Sequence, residues 1–372
     1  MVVARHRPTR IMISERAIKH NVSEAVAQLD SDSQLFAVVK ANAYGHGLIQ
    51  VAQFALAAGA TGFCVAVLDE ALALREAGMT APILVLGLIA PEDAAIAAAH
   101  QIAVPVAEEQ WLEQASLTLP ADAHLQVHFA TDTGMGRIGF THRQDLQAAA
   151  RWVQAHAEMM KLEGIFTHFA TADEVDTTQF EKQSRRFNEF VACLPERPRY
   201  VHVANTATSL WHKACHGNLV RFGVGIYGLN PSGRAVTTLP YSLEPALRLE
   251  SALVLCKEVP AGTTISYGAT YTSQQCEFIG TVPMGYADGW PRRMQGFKVL
   301  VDGHACEIVG RVCMDQFMIR LPHAYAPGTR VTLIGRDGDA VVTAQDVADY
   351  AETIHYEIVC GLSDRVPREY VD

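Results

Sequence analysis

Through the first 240 residues, short unbroken apolar runs recur at intervals: 35–40, 63–67, 83–86, 102–106, 125–130, 162–169, 200–205 and 219–223. Apolar runs without alternation suit strands covered on both faces, as in a parallel sheet. The segments between them (48–58, 68–77, 92–100, 108–117, 144–158 and 177–194) carry apolar residues at helical spacing. A further helix is predicted just after Ser14, an N-cap residue, with Ala17, Ile18, Val22, Ala25, Val26 and Leu29 on one face. About eight strands alternating with helices predict a TIM-type (β/α)8 barrel over residues 1–240; a doubly wound open sheet is the alternative. Beyond Asn230-Pro231-Ser232-Gly233 and Pro240 the pattern changes. Strand-like runs crowd together around the turns Pro260-Ala261-Gly262, Asp302-Gly303 and Asp337-Gly338-Asp339, and Asp-Gly between alternating runs is a hairpin signal. Residues 241–372 therefore read as a C-terminal, mainly-β domain with one helical stretch near 344–353, and the first residues of the chain are free to pack with it.

Composition narrows the function. With 49% apolar and 19% charged residues, the 372-residue chain reads as globular and long enough for two domains. A net charge of -10 argues against nucleic acid and anionic membrane surfaces. No run reaches transmembrane length, and the basic N-terminus lacks the apolar core of a signal peptide, so a cytoplasmic location is expected. The eight cysteines, from Cys64 through Cys215 to Cys360, show no C-x-x-C pair, and the fifteen histidines make no H-E-x-x-H. Reduced thiols and no structural metal are expected.

Candidate chemistry follows from the ends of the predicted strands, where a barrel gathers its functional groups. Lys40 ends the first, in AVVKANAYGHG (37–47). A lysine there is held out of water, and desolvation disfavours its ammonium form, as a Schiff-base lysine requires. The loop from Asp132 to Arg137 follows the fifth strand, and His168 lies near the end of the sixth. Asn205 and Thr206 close the seventh and open a helix. Arg221 lies in the eighth, followed by Gly223-Val224-Gly225. Taken singly, each has a plain reading: a snorkelling lysine, a core histidine, locally paired arginines, turn glycines, a helix cap. Of the other lysines, Lys19, Lys161, Lys182 and Lys213 fall in or beside helical stretches, and Lys257 and Lys298 lie in the β region. Together, a strand-end lysine, an arginine, and a hydroxyl with free N–H groups beside glycines suggest pyridoxal phosphate.

These residues sit in motifs that closely resemble those of alanine racemases, the fold-type III pyridoxal-phosphate enzymes. Besides AVVKANAYGHG, the resemblance is carried by DTGMGRIG (132–139), FTHFATAD (166–173), VRFGVGIYGL (220–229), SYGATY (266–271), GYADGWPR (285–292), GRVCMDQ (310–316) and Tyr356-Glu357. It covers nearly the whole chain. It implies a homodimer interconverting L- and D-alanine, for peptidoglycan or for catabolism. Lys40 would carry the cofactor and act as one of two opposed bases. Tyr267 would be the other, delivered by a partner subunit. Tyr44, Thr206, Gly223, Val224 and Tyr356 would hold the phosphate. Arg221 would face the pyridine nitrogen, with His168 hydrogen-bonded nearby. Arg137 would contact the cofactor's phenolic oxygen and the substrate carboxylate. Met314 and Asp315 would come from the partner, and Tyr286 and Tyr356 would narrow the entrance.

The chain departs from the family at Ala130. Seven residues before Arg137, the family commonly has a carbamylated lysine that braces the arginine, and an alanine cannot form the carbamate. Chloride, water or another carboxylate would have to take its place. Rival readings are a racemase for another amino acid such as serine or lysine, a decarboxylase of related architecture, and a non-catalytic cofactor carrier. The large second domain with Tyr267 and CMDQ argues against the carrier, which would resemble the barrel alone.

Overall fold

A computed structural model describes residues 2–212 and 217–372; Lys213 and Cys215 lie outside the described residues. The chain divides into two units. One comprises Ala17–Ala43 and Leu48–Pro245. The other comprises Met1–Arg16, Tyr44–Gly47 and Ala246–Asp372.

The first unit is the barrel. Its strands are Gln34–Val38, Gly62–Val65, Ile83–Val85, Ile102–Val106, Leu125–Ala130, Met160–Phe166, Tyr200–His202 and Leu219–Phe222. The first seven pair in parallel, each with its neighbour in sequence, and the first also pairs with the eighth, Gln34 opposite Leu219 through Ala37 opposite Phe222. The seventh and eighth strands form no regular ladder. They are joined by the Arg221 N–H donating to the Ala204 carbonyl (2.9 Å) and the Asn218 N–H to the Val201 carbonyl (3.1 Å). Phe36, Phe63, Phe129 and Phe222 are fully buried, which explains why these strands read as continuous apolar runs rather than alternating ones. The helical segments fall where the spacing predicts, except that 92–100 opens with a tight turn at Pro91–Asp93 before the helix Ala94–Ala99.

The first strand leads into an unusual turn. Ala41, Asn42, Ala43 and Tyr44 all have φ near +50°, one turn of left-handed helix. L-residues adopt this conformation at a cost of roughly 1–2 kcal/mol each. Three of the four residues have no preference for it, so the surroundings must impose it.

The second unit is a ten-stranded sheet. The N-terminal strand Arg10–Ser14 lies inside it, antiparallel to Leu247–Ala252 and parallel to Arg368–Val371. Asp302 and Gly303, both at positive φ, form the hairpin turn between Lys298–Val301 and His304–Val309, as the Asp-Gly signal predicts. Helix Ala344–Tyr350 begins at Thr343, whose hydroxyl accepts from the Asp346 N–H. A second helix, His355–Gly361, follows; the sequence reading missed it. No helix among the described residues is long and apolar enough to cross a membrane, and no disulfide joins the described cysteines.

Candidate active site

The barrel unit gathers the cationic residues. Lys40 is half-buried immediately beyond the first strand. The left-handed turn after it is tied to Glu70, whose Oε1 accepts from the Ala41 N–H (2.6 Å) while Oε2 accepts from the Ala66 N–H (2.8 Å). Glu70 thus ties the exit of the first strand to that of the second. Nothing in the local sequence marks it, because the bond spans 29 positions.

Arg221 is buried and donates in several directions at once. Nη1 donates to His202 Nδ1 (2.6 Å) and the His202 carbonyl (3.2 Å); Nη2 donates to the carbonyls of Thr167 (2.8 Å) and Val203 (3.2 Å) and faces His168 Nδ1 at 3.5 Å. Among the described residues, none accepts from Nε. Burial lowers the Arg221 pKa to about 10, so the guanidinium stays charged at neutral pH and keeps one N–H for a ligand. Burial, then the charges of Arg221, Arg137 and Lys40, hold His168 well below the usual imidazole range. His168 is therefore neutral, amid three cationic side chains. Cys64, near Arg221 and Lys40, is pushed up to about 12 by burial and remains a thiol.

Arg137 is exposed on the loop after the fifth strand. Asp132 shapes that loop by accepting from the N–H groups of Gly134 (2.9 Å) and Gly136 (3.0 Å). Ala130 is buried, and no carboxylate among the described residues braces Arg137.

Asn205 acts as a helix cap: its side-chain oxygen accepts from the N–H and hydroxyl of Thr208 (2.9 and 3.0 Å). This orients Thr206, whose hydroxyl accepts from the Gly223 N–H (2.9 Å). Thr206, Ala207 and Val224 are all buried, yet no described residue accepts from their backbone N–H groups. Buried, unpaired N–H groups are rare and costly, and several around one hydroxyl form a cradle for an anion. A Cβ on Gly225 would approach Phe222 to 2.4 Å and Thr206 to 2.9 Å, so glycine is required at that wall. A lysine, an N–H from Arg221 and an anion cradle fit the donor set that pyridoxal phosphate needs.

The other sequence-predicted residues belong to the β unit. Tyr44 and Tyr356 lie together, ring centroids 6.1 Å apart. Tyr267, Tyr286 and Met314 stand on three converging loops and are 69%, 42% and 52% exposed, high values for such side chains. The Ser266 hydroxyl donates to the Arg311 carbonyl (2.5 Å). The Tyr286 N–H donates to the Cys313 carbonyl (3.1 Å) and the Ala287 N–H to that of Met314 (3.0 Å). A Cβ on Gly285 would come within 2.3 Å of both carbonyl oxygens. Ser266, at φ 68° and ψ 179°, occupies a region nearly restricted to glycine, a strain typical of functional sites.

Sequence reasoning missed the anchor of these loops. Asp288 is fully buried, accepts from the Gly285 N–H (2.9 Å) and from Arg7 Nη1 (2.9 Å), and pairs with Arg365. Arg365 also donates to Asp315 (2.6 Å). A lone aspartate inside GYADGW was the only available signal, since both arginines are remote in sequence.

Residues 13–231 match the family model described as alanine racemase, N-terminal domain, and residues 246–370 match that for the C-terminal domain. The chain is 59% identical to the alanine racemase of Lacticaseibacillus casei over 375 aligned positions, covering all of this chain and 99% of that one. Among solved structures it superposes on alanine racemase from E. faecalis with a TM-score of 0.98 at 53% identity, covering the whole of both chains. It superposes on histidine racemase from Leuconostoc mesenteroides with a TM-score of 0.94 at 36% identity, again over both whole chains. The chain belongs to the alanine racemase family, whose members depend on pyridoxal phosphate.

Proposed function

We infer that this protein interconverts L- and D-alanine, with pyridoxal phosphate carried on Lys40 and a second copy of the chain completing each site. The observation that carries the reading is the barrel's donor set: Lys40, the Nε–H of Arg221, and the unpaired N–H groups of Thr206, Ala207 and Val224 beside the Thr206 hydroxyl. The bound cofactor supplies an electron sink for the substrate's Cα–H bond. The chain's own residues supply the rest. Thr206, Gly223 and Val224 hold the phosphate. Arg221, a permanent cation, faces the ring nitrogen and disfavours its protonation. Arg137 positions the substrate carboxylate, and neutral His168 lies close to Arg221.

Racemisation removes the α-proton from one face and returns a proton to the other. One base cannot easily reach both faces, so Lys40 serves one and Tyr267 the other. A phenol needs a nearby cation or hydrogen-bond donor to act as a base near neutral pH, and Arg137 and His168 are suited to these roles. The exposure of Tyr267, Tyr286 and Met314 supports a surface covered by a partner subunit. Such a partner would supply Tyr267, Met314 and Asp315. The L and D forms are mirror images of equal free energy, so net direction follows supply and use, in the cytoplasm. The 59% identity to an alanine enzyme, against 36% to a histidine racemase, favours alanine over a larger substrate.

Two assays test this. In a chiral assay over a panel of L-amino acids, alanine should be turned over fastest. A faster rate with histidine, serine or lysine would replace the substrate. Mixing Lys40→Ala chains with Tyr267→Ala chains should restore roughly a quarter of the wild-type rate, since half the random dimers hold one intact site. No recovery would mean that each chain completes its own site.

A further inference from the structure

Arg221 is the near end of a polar chain running through the barrel. His202 Nε2 meets His128 Nδ1 at 2.9 Å, and His128 Nε2 faces Glu163 Oε2 at 3.6 Å. Glu163 Oε1 lies 3.6 Å from Arg199 Nη1. Donor counting gives the chain one direction. A guanidinium only donates, so His202 Nδ1 must accept and its proton sits on Nε2. That proton goes to His128 Nδ1, leaving the His128 proton on Nε2, aimed at the carboxylate.

Three local features fix this arrangement. The register of the fifth and sixth strands shifts between Val127 and His128, which pair with Leu162 and Gly164, so Glu163 is the extra residue of a bulge. A bulge re-aims a side chain in this way. A Cβ on Gly164 would lie 2.3 Å from His128 Nδ1, so only glycine admits the ring. Tyr200 stacks on His128 (5.8 Å) and Phe166 on His202 (5.1 Å), which holds both ring planes. Burial and Arg221 keep both imidazoles below their usual range. Burial raises Glu163, but His128, Arg199 and Lys161 outweigh it, so it stays ionised. Arg221 has no ion pair of its own among the described residues, and its relay ends in a carboxylate.

We propose that His128 and Glu163 are positioning residues for the reaction, acting through His202 to keep Arg221 aimed at the cofactor ring nitrogen. The proposal rests on the placement of the ring nitrogen inferred above. If His202 took its other tautomer, two donors would face each other at the 2.6 Å contact, and the guanidinium would move.

The test is long-range 1H–15N spectroscopy of holoenzyme carrying 15N-histidine and ring-15N pyridoxal phosphate. In the wild type, His128 and His202 should both carry their proton on Nε2. In His128→Leu, His202 should show mixed tautomers, the ring-nitrogen resonance should move, and kcat should fall about tenfold with KM little changed, the scale expected for a small misplacement. His128→Asn, which returns an acceptor oxygen, should restore the His202 tautomer and most of kcat. Glu163→Gln keeps the shape and removes the charge, so it serves if the leucine variant does not fold; it too should move the ring-nitrogen resonance. An Nδ1-protonated His128 in the wild type would overturn the proposal, as would variants with unmoved His202 and ring-nitrogen signals. Failure of the wild type to bind cofactor or racemise alanine would instead overturn the function inferred above. The tautomers of the cofactor-free full chain would still judge the relay.

Discussion

At the scale of single residues, Ala130 stands where the resemblance leads one to expect a lysine that braces Arg137. A methyl group cannot form a carbamate, and Arg137 has no described carboxylate partner. Activity is therefore expected to be the same in buffers stripped of bicarbonate and buffers supplemented with it, measured as initial racemisation rates. A clear bicarbonate requirement would mean that another lysine is carbamylated. Residues of this kind were legible in the sequence because their meaning is local: Lys40 ends a strand, and Ala130 lies at a fixed distance from Arg137. Glu70, Asp288, Arg365 and the His128–Glu163 pair were not legible. Each works on a partner that the fold, not the sequence, brings near.

At the scale of elements, the turn Ala41–Tyr44 shows the same division. The strand and the polar turn after it are readable from AVVKANAYGHG, but the left-handed winding is not. Alanine and tyrosine do not favour positive φ, and Gly45 only ends the turn. Side-chain hydrogen bonds hold the winding: Glu70 captures the Ala41 N–H with a charged acceptor while holding Ala66, and the Asn42 side-chain oxygen accepts from the Leu48 N–H (2.8 Å). Hydrogen bonds to charged groups contribute about 1.5–3 kcal/mol. Glu70→Gln should lower the unfolding free energy by about that much in urea titrations and slow cofactor loading at Lys40. Unchanged stability and loading would show that the turn is held by something else. The helix His355–Gly361 escaped for a different reason: Ala344–Tyr350, equally short at seven residues, is announced by its Thr343 cap, whereas Ile354 offers no side-chain cap. The alternating β strands and their Asp-Gly turns were legible because turn chemistry is local.

At the scale of the molecule, buried histidines tie stability to pH. His128, His168 and His202 are all held below the usual imidazole range, chiefly by burial, and His355 is lowered to about 4 by burial. These groups are neutral when folded and titrate near 6.5 when unfolded. Between those values the unfolded chain binds more protons, so stability falls as pH drops through 6.5. Each fully suppressed histidine contributes a slope of about 1.4 kcal/mol per pH unit. Thermal denaturation should therefore shift to clearly lower temperature between pH 7 and pH 5; a flat profile would contradict the assigned protonation states. The catalytic account makes a sharper demand, since its two bases serve opposite faces of one carbon. The most direct measurement is α-proton exchange in heavy water, followed by NMR, for each alanine enantiomer with wild type and Tyr267→Phe. Both enantiomers should exchange with the wild type. With Tyr267→Phe, exchange from one enantiomer should fall by roughly 10²-fold or more, the scale of a lost general base, while exchange from the other, served by Lys40, persists. Equal loss from both enantiomers, or loss from neither, would contradict the two-base site.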